Sequence, residues 1–344
     1  MSNASPQRKL PTPVRNAVLR TIAPYLNQRA RKHGICSSKT RKERVQFYLQ
    51  MTTQLWELGY RIRSPQALSA KHVTALMHHW HAQGLVANTL HTRLSMLRTL
   101  CGWLGKENVV KDITDYVPAE AARRSGVATA SKAMEANGVD PDEIIERAGQ
   151  IDERLAVILS MQHAFGLRVK EAIEIRPGRA VIDNGAALSL HEGTKGGRPR
   201  VVPIDSDYQR AVIANARRIA ASGKTGRLRW TDCTWKQAQN RFYHYARRRL
   251  GISRKGLGVT AHALRHGYAQ RGYRKETGLP SPIEGGALGR IDRATHQAAC
   301  LTVAHALGHG RVDVTASYYG SYGHALRASP TDMTFVLKQR PPYA

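Results

Sequence analysis

Arginine, lysine, histidine and tyrosine carry the chemistry this chain can offer, and five short stretches bring them forward. They are Gly166-Leu167-Arg168-Val169-Lys170-Glu171, Thr194-Lys195, His262-Ala263-Leu264-Arg265-His266, Leu307-Gly308-His309 and Tyr318-Tyr319. Guanidiniums such as those of Arg168 and Arg265 hold two oxyanion oxygens at once and keep their charge at physiological pH. Imidazoles such as His262 and His309 give or take a proton near neutrality. A phenol is a weak nucleophile, with a free pKa of about 10, until a neighbour takes its proton or cations favour its ionised form. Taken singly, each residue has an ordinary reading: Arg168 as surface charge, Lys195 as a solvated turn residue, Tyr318 as a core aromatic.

Other motifs fail on their spacing. Ser222-Gly223-Lys224-Thr225 ends like a phosphate-binding loop, but Arg218 stands where that loop needs its first glycine. His262 and His266 are spaced like zinc ligands on a helix, yet Ala263 occupies the place of the general-base glutamate. Cys36, Cys101, Cys233 and Cys300 are far apart and form no Cys-x-x-Cys pair, so they read as buried thiols in a reducing compartment.

The elements that must position these residues form two groups, giving a mainly α chain with a small antiparallel β-sheet, an α+β fold. In the first group Thr40 with Glu43 reads as a capping box opening a helix that ends at Gly59. Ser69 reads as the cap of a second helix ending at Gly84, and Asn88 as the cap of a third with Gly105 past its end. Their apolar stripes, such as Leu90, Leu94, Leu97 and Cys101, make a helical core. A connector follows from about Lys106 to Arg124. In the second group, helical spacing runs through Ile151, Leu155 and Ile158, breaks at Gly166 and resumes through Val169, Ala172 and Ile173. Strand-like runs follow at 180–182, 187–191 and 201–204, joined by the Asp183-Asn184-Gly185 turn and by a Gly-rich basic turn carrying Lys195. The remainder reads as helical, including 234–250.

Taken in order, the five stretches resemble the tyrosine recombinase (phage integrase) family over about Gly126 to Tyr322, with the preceding helices resembling that family's core-binding domain. The family's succession of Arg, Lys, His-x-x-Arg, His and Tyr is filled by Arg168, Lys195, His262, Arg265, His309 and Tyr318. Glu171 takes the position that braces the site. The family places its nucleophile nine residues beyond the Leu-Gly-His histidine, which is Tyr318; Tyr319 and Tyr322 remain alternatives, since a one-residue slip would exchange the first pair. The resemblance implies that Tyr318 attacks a DNA phosphodiester while Arg168 and Arg265 clamp its non-bridging oxygens. It further implies His262 as general base, Lys195 as the acid that protonates the departing 5′ oxygen, and His309 as a donor to the phosphate. A 3′-phosphotyrosyl link follows, with exchange of strands in a tetramer on DNA and no cofactor, ATP or metal. The chain departs from the family in one respect: the stretch from Arg265 to His309 is longer than in compact members. The extra segment, about Tyr273 to Ala299, holds Pro280, Pro282 and Gly285-Gly286 and reads as a loop with a short helix.

Charge and length agree with that implication. The chain has 344 residues, with 53 Lys+Arg against 25 Asp+Glu and a net charge of +28. So much like charge destabilises a compact state and points to a polyanionic partner; charge alone leaves an anionic membrane open beside nucleic acid, and the resemblance implies double-stranded DNA. A hydrophobic fraction of 42% is too high for a disordered basic tail. Neither the polar Met1–Arg15 stretch nor the apolar Leu155–Leu167 run, broken by Gln162 and His163, reads as a signal peptide or a membrane span, so a cytoplasmic location without membrane association is expected. The expected organisation is a basic N-terminal arm over 1–39, which has no acidic residue, a helical DNA-binding domain over 40–118, a catalytic domain over 119–330 and a tail over 331–344. Arm and insertion favour an integrase of a phage or integrative conjugative element, with accessory DNA-bending or directionality proteins. A chromosome-dimer resolvase of the same family is the first alternative, and a non-catalytic architectural DNA-binding protein or a basic RNA-binding protein the others.

Overall fold

A computed structural model describes residues 10–29, 34–124, 126–194, 197–286, 289–309 and 315–323. Two compact units divide the chain, Met1–Ser125 and Gly126–Ala344. The fold is mainly helical with one small antiparallel sheet, as the sequence leads one to expect.

Four principal helices build the first unit: α1 (Thr12–Ile22), α2 (Ser38–Glu57), α3 (Ala70–Ala82) and α4 (Ala87–Trp103). The basic arm expected over 1–39 needs correction, because α1 belongs to this core. Pro13 in its first turn pre-sets the helical φ, and Val14, Val18 and Ile22, four residues apart, form one buried stripe. Residues 1–9 and 30–33 lie outside the described residues. Caps shift as well. Ser37, whose Oγ accepts from Thr40 N at 3.1 Å, begins α2 in place of Thr40, and α4 begins at Val86 with no side-chain cap. Ser69 caps α3 as expected, paired with His72. The unit also reaches past residue 118: α5 (Ala119–Ala122) adds Ala122 to the helical core, and His91 Nε2 lies 2.8 Å from its carbonyl.

In the second unit α6 (Pro141–Ile151) and α7 (Glu153–Phe165) precede α8 (Val169–Glu174) and the short α9 (Pro177–Ala180). The sheet then runs β1 (Val181–Ile182), β2 (Ala187–Leu190) and β3 (Arg200–Pro203), neighbours in that order and antiparallel, with Leu188 opposite Val202 and Leu190 opposite Arg200. Next come α10 (Asp207–Ala221), α11 (Trp235–His244) continued by a π-helical turn over 245–249, and α12 (Ala263–Thr277).

The Tyr273–Ala299 segment holds the expected short helix, a 3-10 turn at Pro282–Glu284, and is otherwise more regular than a loop. Its first residues complete α12, which stops at the left-handed Gly278, and α13 (Arg293–Ala306) starts from Asp292, whose carboxylate accepts from Thr295 N at 2.8 Å. Ala299, Cys300, Val303 and Leu307 pack with Tyr273, Tyr318 and Tyr319 into a separate small core. The segment therefore forms the floor beneath α14 (Ala316–Tyr319). No described helix is long and apolar enough to cross a membrane. The tail over 331–344 lies outside the described residues.

Candidate active site

Two tight turns set the arginines. Helix α7 ends at Gly166 with φ +59, and a Cβ there would sit 2.5 Å from the Tyr268 ring, so only glycine lets the chain reverse against that aromatic. Two residues on, Arg168 caps α8. Its backbone N–H donates to Glu171 Oε2 and its Nη1 to Oε1, both at 2.7 Å. From β3, Arg200 meets the same carboxylate bidentately at 2.7 and 2.8 Å. Glu171 has no exposed surface. Burial alone would raise its carboxyl, but the Arg200 hydrogen bonds and the two guanidinium charges outweigh burial and hold it at about 2. A permanently ionised carboxylate thus fixes the plane of Arg168, whose Nη2 reaches the Leu307 carbonyl at 3.5 Å.

Arg265, one turn into α12, is fully buried. Its Nη1 donates to the Gly166 carbonyl and its Nη2 to the Leu307 carbonyl, so both glycine turns of the site hold one guanidinium. Gly308, at φ +65, lies against Arg200: a Cβ would come within 2.8 Å of its Cδ. His309 follows, with Nε2 3.5 Å from Arg265 Nη2 and Nδ1 buried without a hydrogen-bond partner among the described residues.

Tyr318 projects into this arrangement. Its Oη is 3.2 Å from His262 Nε2 and 3.3 Å from Arg265 Nε. Arg265 can only donate, so the phenol oxygen accepts there and its own proton is directed at His262. Burial, then the charges of Arg265 and Arg168, keep His262 at about 4, and burial followed by Arg265 does the same for His309. Both imidazoles are therefore neutral at pH 7, and His262 can take a proton. Tyr319 turns the other way, with its Oη 2.5 Å from Thr315 Oγ1 and its ring against Tyr273. Tyr322 donates to the Ile291 carbonyl at 2.9 Å.

Arg168, Glu171, His262, Arg265, His309 and Tyr318 thus meet in one place, while Lys195, which falls between β2 and β3 in the sequence, lies outside the described residues. Arg200, His266 and Gln270 also belong here and were not singled out from sequence for a role in the site. The His266 ring lies against Tyr318 with centroids 4.5 Å apart, and Gln270 bonds the Tyr318 backbone. A signal existed for the last two: positions 262, 266 and 270 share one helix face. For Arg200 the signal was strand alternation, since Arg200 and Val202 are buried while Val201 and Pro203 are exposed. Among the described residues no three His, Cys, Asp or Glu side chains gather as a metal site requires.

Comparison with known proteins follows the same division. The family described as phage integrase, N-terminal, matches residues 20–110, and the integrase family matches residues 123–271. Tyrosine recombinase XerC of Neisseria meningitidis serogroup C (strain 053442) is 26% identical over 218 residues, 60% of this chain and 66% of the relative. XerC of Neisseria gonorrhoeae (strain ATCC 700825 / FA 1090) is 27% identical over the same extent. The chain thus spans just under two thirds of these relatives' length. Among solved structures, a lambda integrase dimer bound to a COC′ core site aligns with a TM-score of 0.54 at 17% identity, covering 86% of this chain and 74% of that one. XerH recombinase in a post-cleavage complex with a palindromic difH substrate aligns at 0.54 and 16%, covering 97% and 99%. At such identities the likeness is one of fold.

Proposed function

The chain belongs to the tyrosine recombinase family, and on that premise we propose that it cuts and rejoins DNA at specific sites through Tyr318. One observation carries the proposal: the Tyr318 phenol stands between a neutral imidazole and a buried guanidinium, at 3.2 and 3.3 Å. A base and a cation on the same phenol oxygen are what a weak nucleophile needs.

In the proposed reaction the Tyr318 oxygen attacks phosphorus and its proton passes to His262. Arg168 and Arg265 neutralise the charge that grows on the non-bridging oxygens, an interaction stronger in the transition state than in the substrate. The Nδ1 edge of His309 donates to the same phosphate. Lys195 gives a proton to the departing 5′ oxygen. The product is a 3′-phosphotyrosyl bond, which conserves the phosphodiester energy until the 5′ hydroxyl of a partner strand attacks it. The scheme calls for neither ATP nor metal, because the guanidiniums do the charge neutralisation. Glu171 keeps Arg168 in place and touches no reacting atom.

The substrate in this reading is double-stranded attachment-site DNA of a phage or integrative conjugative element, bound in the cytoplasm by a tetramer of the chain. The N-terminal phage-integrase match and the long Arg265–His309 segment support the mobile-element reading. Nicked duplexes tiled across the DNA flanking the gene, incubated with the protein and run on denaturing gels, test the chemistry. A covalent adduct is expected with wild type and none with Tyr318→Phe; absence of the first or persistence of the second refutes it. A direct repeat bracketing the gene supports integration, and its absence supports the dimer-resolvase reading.

A further inference from the structure

Helix α12 holds the tyrosine at three points along one face. His262 meets its hydroxyl, His266 lies against its ring, and Gln270 Nε2 donates to its backbone carbonyl at 2.9 Å. The second proton of the same amide goes to Ser131 Oγ, also at 2.9 Å. Gln270 is 4% exposed, so water does not substitute readily for either bond. Ser131 Oγ in turn accepts from Ala133 N at 3.3 Å, and nearby Ala128 N donates to the Ala316 carbonyl at 3.2 Å. Helix α14 is only four residues long. A single turn does not hold itself, because nucleation costs more than its few hydrogen bonds return. Ties from outside must therefore set where Tyr318 stands.

We infer that Gln270, anchored by Ser131, is a positioning residue for the nucleophile: it fixes the Tyr318 main chain so that the phenol reaches His262 and Arg265. The inference rests on the Tyr318 reading above and adds to it a dependence on the first stretch of the second unit, Ala128–Ser131. Gln270 touches no reacting atom, so its removal should act on the rate of attack and not on DNA affinity.

The test is single-turnover adduct formation on a nicked duplex that wild type cleaves, with duplex affinity measured in parallel. Gln270→Leu, which keeps the volume and loses both donors, should slow adduct formation about 10- to 100-fold, the scale of a misplaced reacting group, with affinity unchanged. Ser131→Ala should slow it in the same sense, and Ser131→Thr, which retains the hydroxyl, should restore it. The double variant Gln270→Leu/Ser131→Ala should be no slower than Gln270→Leu, because the two side chains act as one unit. Wild-type rates in both single variants would overturn the positioning role and leave the Tyr318 reading standing. Loss of affinity in proportion to rate would overturn it too, as general damage. A wild type that forms no adduct removes the reading and this inference together. Should Gln270→Leu fail to fold, half-buried Ser131 carries the test through its Ala and Thr variants, and equal rates in wild type and Ser131→Ala would overturn the inference.

Discussion

At Tyr318 and Tyr319 two identical side chains, adjacent in the chain, meet opposite surroundings. Tyr319 is 1% exposed, and burial, reinforced by Cys300, pushes its phenol well above the usual range. An oxygen so placed does not ionise to attack phosphorus. Tyr319→Phe should therefore leave adduct formation intact and cost about 1 kcal/mol in denaturant unfolding, the worth of its hydrogen bond with Thr315. Four histidines give a second prediction. Burial, as the main cause in each, holds His163, His262 and His309 at about 4 and His266 at about 3, against 6.5 for a free imidazole. Between those values the unfolded chain binds more protons than the folded one, so stability falls as pH drops from about 6.5 toward 4. Glu171, at about 2 against 4.5, adds a further loss below pH 4.5. Urea midpoints should thus decline steadily from pH 7 to 4, and a flat profile would contradict the buried neutral imidazoles. At this scale the short motifs were legible because each holds its residues within a few positions. Arg200 and Gln270 were not, since their partners lie 29 and 48 positions away, distances that only the fold closes.

Elements were legible where a pattern and a stop signal coincide. Glycines end α2, α3 and α4 at Gly59, Gly84 and Gly105, all with positive φ, and the three strands stand where β-rich runs and turn residues put them. Helix α1 was hidden because its basic surface reads as a solvated arm, although its period-four stripe of Val14, Val18 and Ile22 was present. Ile22 has no exposed surface and packs in the helical core. Ile22→Ala should accordingly destabilise the chain by about 2–4 kcal/mol, where an arm residue would cost nothing measurable. The junction of β3 with α8 supports a sharper expectation. Arg200 and Glu171 have side-chain exposures of 3% and 0%, and Glu171 is the carboxylate that also orients Arg168. Breaking a buried pair from one side leaves a charge uncompensated, at about 3–5 kcal/mol. Arg200→Ala should lower the unfolding free energy by that order and slow adduct formation as well, whereas a variant altered in neither would show that β3 has no part in bracing Arg168.

Net charge of the whole chain, +28, does two different jobs. Near the site the arginines are matched: Glu171 pairs with Arg168 and Arg200, Glu174 with Arg227 and Arg229, and Glu192 with Arg176 and Arg227. These pairs are at most partly exposed and order the protein itself. Arg247, Arg248, Arg249, Arg254 and Lys255 are the converse case, exposed on the π-helical turn and just beyond it, with no carboxylate in ion-pair range among the described residues. Cations left unmatched in water are available to phosphates, and each phosphate neutralised releases counterions from the duplex. Binding of duplex DNA should therefore weaken steeply with salt, by about 10³–10⁵ between roughly 50 and 200 mM if 6–10 phosphates are contacted. Replacing Arg248 and Arg249 together by alanine should weaken binding to unrelated sequences as much as to the target and reduce the log–log salt slope by about 2. A slope that stays at the wild-type value would mean that this exposed charge faces away from the DNA, and the grip would then have to come from cations elsewhere on the two units.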